Sequence, residues 1–325
     1  MTIRCSIGTA KVLGLKRLKI DALPTTAYLM VGENCRFNCA FCAQARESSA
    51  RGDLLSRISW PRFENRELLE GFVKANSEPQ TVLRRICFQV VQDKDALEET
   101  KEWVKSVRAQ SHLPICVSAG PRTLAEVEEL LDLGVDHISI ALDAATPEIY
   151  AQNKDGSWEE RFALLRESAK HFPGHMATHL IVGLGESEED MVKCIQTMYD
   201  LGITVALFAF TPVKGTRLEK LPPPKIEHYR RVQVAHDLIR QGMARTEQFT
   251  FAGGKVIHFD VAIKELQKLR GGEPFRTSGC SGCNRPYYNE VPGKELYNYP
   301  RKLTDEEEMQ AWALVCQKTG REEAD

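Results

Sequence analysis

Glu33-Asn-Cys35-Arg-Phe-Asn-Cys39-Ala-Phe-Cys42-Ala-Gln44 decides how the rest of the sequence is read, because three thiols fall within eight residues. It follows Ala27-Tyr-Leu-Met-Val31, an apolar run of strand length. Three cysteines on one short loop can hold three irons of a four-iron cubane and leave the fourth without a protein ligand. A vacant iron accepts a small molecule, by the logic that separates catalytic from closed metal sites. Two plainer readings compete, a zinc loop and three unrelated core cysteines. Zinc would want a fourth ligand close by, and no further His or Cys follows closely. The position of the loop, just past a first strand, favours the cluster.

Outward from this stretch, the bulk composition narrows the setting. The chain has 325 residues, 42% hydrophobic and 27% charged, an ordinary balance for a globular protein. A formal net charge of −2 offers no basic footprint for nucleic acid. No apolar run reaches membrane-spanning length, and Met1-Thr-Ile-Arg-Cys-Ser lacks a signal-peptide core, so a cytoplasmic protein with no membrane partner is expected. In that compartment cysteines stay reduced and serve as metal ligands more often than as disulfides.

Strand-like runs alternate with amphipathic helical segments after the cysteine loop. Arg85-Ile-Cys-Phe-Gln-Val-Val91, Pro114-Ile-Cys-Val-Ser-Ala-Gly120 and His137-Ile-Ser-Ile-Ala-Leu-Asp143 read as strands two to four, and residues 176–184 and 204–211 as five and six. Residues 248–252 and 273–278 are the expected seventh and eighth. Helices are expected near residues 8–18, 65–75, 95–110, 124–133, 158–171, 187–201, 225–244, 260–269 and 304–318. Strands separated by helices predict a parallel sheet with right-handed crossovers, and eight of them predict an α/β fold closed as a (β/α)8 TIM-type barrel. One domain is expected: an extension over 1–24, the barrel over 25–279, and a cysteine loop and helix over 280–325. Residues 48–59 are polar and are expected to cover the cluster or its ligand.

In such barrels the chemistry sits on loops leaving the carboxyl ends of strands. Asp143 ends the fourth strand, where a carboxylate can take ribose hydroxyls or cap the next helix. Gly183, Gly185 and Glu186 in Ile181-Val-Gly-Leu-Gly-Glu186 follow the fifth, and glycines allow backbone to approach a flat ring. Phe41 either supports such a ring or packs on the barrel rim. The tail holds Arg276-Thr-Ser-Gly-Cys280-Ser-Gly-Cys283-Asn-Arg-Pro-Tyr-Tyr-Asn-Glu290, a knuckle that suits a second iron–sulfur cluster, a redox dithiol or half a zinc site. A dithiol usually opens a helix, which Pro286 and the glycines disfavour. Cys5 precedes Cys35 by 30 residues and, at about 3.3 Å per extended residue, could reach the working face as a further ligand. Ser278 could add an oxygen. Cys87 and Cys116 are read as inward-pointing small hydrophobes, and Cys194 and Cys316 as packed on helices.

The three-then-two cysteine spacing, with Phe41 before the last thiol, resembles the radical S-adenosylmethionine (SAM) enzymes. Over about residues 25–270 the chain is similar to biotin synthase-like members. The resemblance implies a [4Fe–4S] cluster on Cys35, Cys39 and Cys42, SAM on its open iron, and cleavage of SAM to a 5′-deoxyadenosyl radical that abstracts hydrogen. It also implies cofactor contacts at Phe41, Asp143, Gly183, Gly185 and Glu186, and the segment Lys214-Gly-Thr-Arg-Leu218 resembles a Gly-Thr-Pro-Leu segment of the group. The Asn that biotin synthases place two residues before this Asp is Ala141 here. Their two-iron cluster uses cysteines at the positions of Cys87 and Cys116, but its third cysteine aligns with Ala177 and its arginine with Phe249.

The tail resembles the split, two-protein lipoyl synthases. With Cys280 and Cys283, and Cys5 as the further ligand within reach, holding a second [4Fe–4S] cluster, that resemblance implies sulfur inserted into an octanoyl-lysyl group. The partners implied are an octanoylated carrier (a lipoyl domain or glycine-cleavage H protein), a second radical SAM protein, and an electron donor such as ferredoxin or flavodoxin. Biotin synthase, hydrogenase-cofactor maturase or mutase chemistry, with a structural second cluster, is the alternative. An iron–sulfur electron carrier or redox sensor is the non-enzymatic one.

Overall fold

Alternate residues of each parallel strand face opposite ways, and here one set faces an interior cavity while the other packs beneath helices. The computed structural model describes residues 2–77, 81–290 and 295–316. The chain begins with β1 (Thr2–Cys5), α1 (Ile7–Val12) and β2 (Thr26–Val31). A small hairpin of β3 (Leu54–Leu55) and β4 (Ile58–Ser59) follows, then β5 (Arg62–Glu64) and α2 (Asn65–Ser77). The repeating part comprises β6 (Arg85–Val90), α3 (Ala96–Arg108), β7 (Ile115–Ser118), α4 (Leu124–Asp132), β8 (His137–Ser139), α5 (Pro147–Asn153), α6 (Trp158–His171), β9 (Met176–Val182), α7 (Glu188–Asp200), β10 (Thr204–Ala209) and α8 (Ile226–Arg240). It ends with the hairpin β11 (Thr250–Ala252) and β12 (Lys255–His258), then α9 (Ile263–Arg270) and α10 (Asp305–Cys316).

The α/β class and the barrel-type parallel sheet are those expected. The main sheet has eight strands in the order β10-β9-β8-β7-β6-β2-β1-β5, of which β2 and β6 to β10 are parallel. β1 and β5 are antiparallel additions at the β2 edge. In β6, Ile86 and Phe88 are fully buried in the main core, whereas Arg85, Cys87 and Gln89 line the cavity. The same split puts Ala177, His179 and Ile181 of β9 on the cavity wall and Met176, Leu180 and Val182 in the core. Helix starts are fixed by side-chain caps: Thr123, Thr146 and Ser157 accept backbone N–H bonds, and Ser187 and Asp190 make a capping box.

The expected seventh and eighth strands do not join this sheet. Residues 250–252 pair only with β12, because Gly253 and Gly254, at φ 55° and 75°, turn the chain straight back. Residues 273–275 form a 3-10 turn, with Pro274 early in it. The tail takes the place a closing strand would hold. On the β10 side, Leu207 N–H donates to Ser278 Oγ at 2.9 Å, Arg285 to the Leu207 carbonyl at 3.2 Å, and Asn289 to the Ala209 carbonyl at 2.8 Å. Beside β2, Thr25 N–H donates to Asn284 Oδ1 at 2.9 Å and Thr25 Oγ1 to the Gly282 carbonyl at 2.6 Å. Gly279 has φ 111°, and a Cβ there would stand 2.8 Å from Ala206 Cβ, so only glycine lets the tail lie this close to β10. Cys194 is packed on α7 as expected, but Cys316 ends α10 exposed. Lys318, the expected end of that helix, lies outside the described residues. No described helix is long and apolar enough to cross a membrane.

Candidate functional site

The cysteine loop lies across the carboxyl ends of the strands, pinned by backbone from two other loops and from the end of α5. Arg36 N–H donates to the Gln92 carbonyl at 2.8 Å, and Ala40 N–H to the Asn153 carbonyl at 2.8 Å. Leu218 N–H donates to the Ala40 carbonyl at 3.1 Å, and Asp155 accepts from Asn38 N–H at 2.6 Å. Beyond the loop, Arg4 donates to Gln44 Oε1 at 2.9 Å. Gly215, whose carbonyl accepts from Ser49 N–H at 3.0 Å, would place a Cβ only 2.4 Å from Ala50 N. The segment 214–218 therefore anchors the cysteine loop and its continuation.

Cys35, Cys39 and Cys42 all face a cavity of about 310 Å³ together with Phe37 and Phe41. Desolvation pushes the Cys39 thiol up to about 11 and Cys42 up to about 12, so neither would ionise near neutral pH without a metal. None of the ten cysteines forms a disulfide. Among the described residues no three His, Cys, Asp or Glu side chains converge where one metal ion could be held. A cubane fits this donor set better than a single ion, since each of its thiolates serves a different iron and the sulfurs stand apart.

Asp143 is on the cavity wall with a left-handed backbone, φ 63°, and bridges to Leu180. Lys154 Nζ donates to Asp143 Oδ2 at 2.7 Å and to the Ala141 carbonyl at 2.8 Å. Burial works against the Lys154 charge, but Asp143, Cys39 and Tyr150 outweigh it and hold its pKa above the ordinary value. Arg161, reaching the cavity from α6, donates to the Pro121 carbonyl at 2.6 Å. Burial depresses His179 to about 4, and its ring stands edge-on to Phe208 with centroids 5.1 Å apart. Neither Lys154, Arg161 nor His179 stood out in the sequence, although His179 occupies an inward position of β9.

The expectation of cofactor contacts changes at the fifth strand. Ile181 lines the cavity, but Gly183, Gly185 and Glu186 do not. Glu186 is 7% exposed, and its carboxylate accepts from Gly183 N–H at 2.6 Å and Leu184 N–H at 2.9 Å. A Cβ on Gly183 would meet Pro224 at 2.9 Å. This segment thus folds around its own carboxylate and packs on the loop before α8, and only its first residue reaches the cavity.

Cys280 and Cys283 face the cavity, as do Cys87 and Cys116. Cys116 donates to Cys280 with the sulfurs 3.5 Å apart, and Arg85 donates to Cys116 Sγ at 3.0 Å. Tyr28 Oη is 3.1 Å from Cys283 Sγ. The hydrogen bond from Cys116, with Arg85 and Arg285 nearby, holds the Cys280 thiol below its usual range while burial raises Cys87. One expectation is corrected here and a second is extended. Cys5 is fully buried in the main core, where desolvation alone raises it to about 12, because β1 pairs with β2 and turns that side chain away from the cavity. Cys87 and Cys116 do point inward as expected, Cys87 packing beside Tyr28, Met30 and Tyr288, but they face a cavity that also holds the tail thiols. Counting by twos from Arg85 gives the direction of Cys87, and pairing in register with it gives that of Cys116; only the folded tail shows what they face. Ser278 is occupied by the β10 backbone.

Comparison with known proteins agrees with this geometry. The radical SAM superfamily model matches residues 29–198. The biotin synthase of Halorhodospira halophila is 30% identical over 198 residues, 58% of this chain and 57% of that protein. The biotin synthase of Synechococcus sp. is 27% identical over 258 residues, 75% and 74% respectively. For several other biotin synthases the chain spans little more than half of the relative's length. Among solved structures, the FeFe-hydrogenase maturase HydG from Carboxydothermus hydrogenoformans superposes with a TM-score of 0.51 at 19% identity, over 67% of this chain and 51% of that one, a likeness of fold. With a family match running from the first parallel strand through the helix after the fifth, over more than half of its length, the chain belongs to the radical SAM superfamily.

Proposed function

We propose that this protein inserts sulfur into an octanoyl-lysyl group on a carrier protein, as one half of a two-protein lipoyl synthase, in the cytoplasm. The observation that carries the reading is one cavity lined by two separate sets of cysteines, one on the loop after β2 and one deeper in the barrel. The biotin synthase relatives support attack on an unactivated carbon followed by sulfur insertion. The tail Cys280-Ser-Gly-Cys283-Asn-Arg-Pro-Tyr-Tyr-Asn-Glu290 favours the lipoyl over the biotin substrate. The partners are an octanoylated lipoyl domain or glycine-cleavage H protein, a second radical SAM protein for the other sulfur, and a ferredoxin- or flavodoxin-type electron donor.

Cys35, Cys39 and Cys42 are the residues for the [4Fe–4S] cluster. When bound, the cluster and SAM supply a 5′-deoxyadenosyl radical, and an auxiliary cluster supplies sulfur. The chain's own contribution is to place and shield. The pinned loop fixes the thiols over the cavity, Lys154 holds Asp143 at the ribose side, and Phe37 and Phe41 exclude water from the mouth. Phe208, Ile181 and Met30 give the interior an apolar wall suited to an alkyl chain. The test is anaerobic reconstitution with SAM, reductant and an octanoyl-lysyl peptide, read by mass spectrometry. The expected products are 5′-deoxyadenosine and a peptide gaining one sulfur. Deoxyadenosine without sulfur gain would move the assignment to another radical SAM reaction, with the second cluster structural.

A further inference from the structure

Below the cysteine loop, nearer the amino ends of the strands, Tyr28, Cys87 and Cys116 stand side by side across β2, β6 and β7 in direct register. The tail lays its two thiols against this row. Cys280 Sγ is 3.5 Å from Cys116 Sγ, and Cys283 Sγ is 3.1 Å from Tyr28 Oη. Two guanidinium groups face the sulfurs. Arg85 bonds Cys116 Sγ at 3.0 Å and the Ser281 carbonyl at 3.0 Å. Arg285 lies 3.7 Å from Cys283 Sγ, its charge 4.2 Å from the Phe208 ring centroid. Four thiols and two guanidinium groups line this part of the cavity.

We propose that Cys87, Cys116, Cys280 and Cys283 together ligate the auxiliary iron–sulfur cluster, two from the barrel wall and two from the tail. The inference rests on the iron–sulfur reading of the cavity but not on the identity of the substrate. Zinc would draw all four sulfurs round one point, and among the described residues no three donors converge that way. An iron–sulfur cluster spreads its ligands over more than one iron, so its thiolates need not meet at a single point. Each thiol gives up its proton on binding iron, and Arg85 and Arg285 offset the negative charge that results.

Two consequences separate this site from the first. Four thiolates leave no iron vacant, so SAM binds only at the cluster on Cys35, Cys39 and Cys42. The cluster also cross-links the tail to β6 and β7, closing the barrel where no strand does.

The test uses the full chain, reconstituted anaerobically with iron and sulfide and then reduced with dithionite, and reads iron content and electron paramagnetic resonance (EPR). Replacing Cys35, Cys39 and Cys42 by Ala should leave an iron–sulfur signal that SAM does not alter. Adding Cys87→Ala and Cys116→Ala to that variant should abolish it, as should adding Cys280→Ala and Cys283→Ala. Retention of iron and signal after loss of the strand pair would overturn the proposal, as would zinc in place of iron or a Cys116–Cys280 disulfide in the loaded protein. A second variant guards against misfolding. In the otherwise native chain, Cys87→Ser with Cys116→Ser should keep the SAM-sensitive signal of the first cluster, evidence of an intact barrel, while the second signal shifts or disappears. Both signals unchanged would equally overturn it. Sulfur transfer to the peptide is a separate readout, so failure of the lipoyl reading is distinguishable from failure of this ligand set.

Discussion

Lys154→Met should destabilise the metal-free chain by about 3–5 kcal/mol, the cost of stranding a buried carboxylate. The side chains of Lys154 and Asp143 are 7% and 14% exposed, and their charged atoms are 2.7 Å apart. At an effective dielectric of about 20 the gross attraction at that distance is about 6 kcal/mol, and desolvation of the two charges offsets most of it. Methionine keeps the stem and removes the cation, so Asp143 stays in its left-handed backbone without its ion-pair partner, with only the more distant Arg161 charge near it. Asp143→Asn is milder, about 1–3 kcal/mol, since Asn tolerates that backbone and keeps an oxygen for the Lys154 N–H to reach. The double variant should be about 1–3 kcal/mol more stable than the sum of the single losses predicts. Urea unfolding of the reduced, metal-free protein at pH 7 measures all four corners of the cycle. Losses that add to within about 0.5 kcal/mol would refute the idea that this pair shapes the loop after β8.

Three further outcomes follow from local geometry. Gly215→Ala, at φ 90° with Ala50 N in the way, should cost about 2–3 kcal/mol and lower iron uptake by the cysteine loop, measured by unfolding and metal analysis; an unchanged stability would mean the two loops separate freely. Glu186→Gln should cost about 1–3 kcal/mol by weakening the fork to Gly183 and Leu184, while SAM binding by calorimetry stays within about twofold, since the side chain does not reach the cavity. His236, 3% exposed and bonded to Tyr199 Oη at 2.9 Å, is depressed by burial to about 4. The unfolded chain, at about 6.5, binds the proton first, so stability present above pH 6.5 is lost as pH falls toward 4. The loss from His236 is about 2 kcal/mol at pH 5, and His236→Asn should remove that share of the slope from the urea midpoint while the share from buried His179 stays, whatever the cost at pH 7.

The sequence by itself determined the parts that depend on neighbours along the chain. The spacing of Cys35, Cys39 and Cys42 is a local property, as is the strand–helix alternation, and both were legible without coordinates; the N-caps at Thr123, Thr146, Ser157 and Ser187 are equally local but were identified from the fold. The Gly253-Gly254 turn was local too, and reading it would have removed the seventh strand from the barrel. Only the tertiary structure decided what the tail does. Cys280 meets Cys116 across 164 residues and Arg285 bonds the Leu207 carbonyl across 78, pairings that no periodicity encodes. The direction of Cys87 and Cys116 followed from strand period, but their role depended on which segment lay opposite. Likewise Cys5 was close enough in chain length to reach the site, yet pairing with β2 set its side chain into the core. Reach along a chain bounds where a residue can go; the packing of whole elements selects one place within that bound.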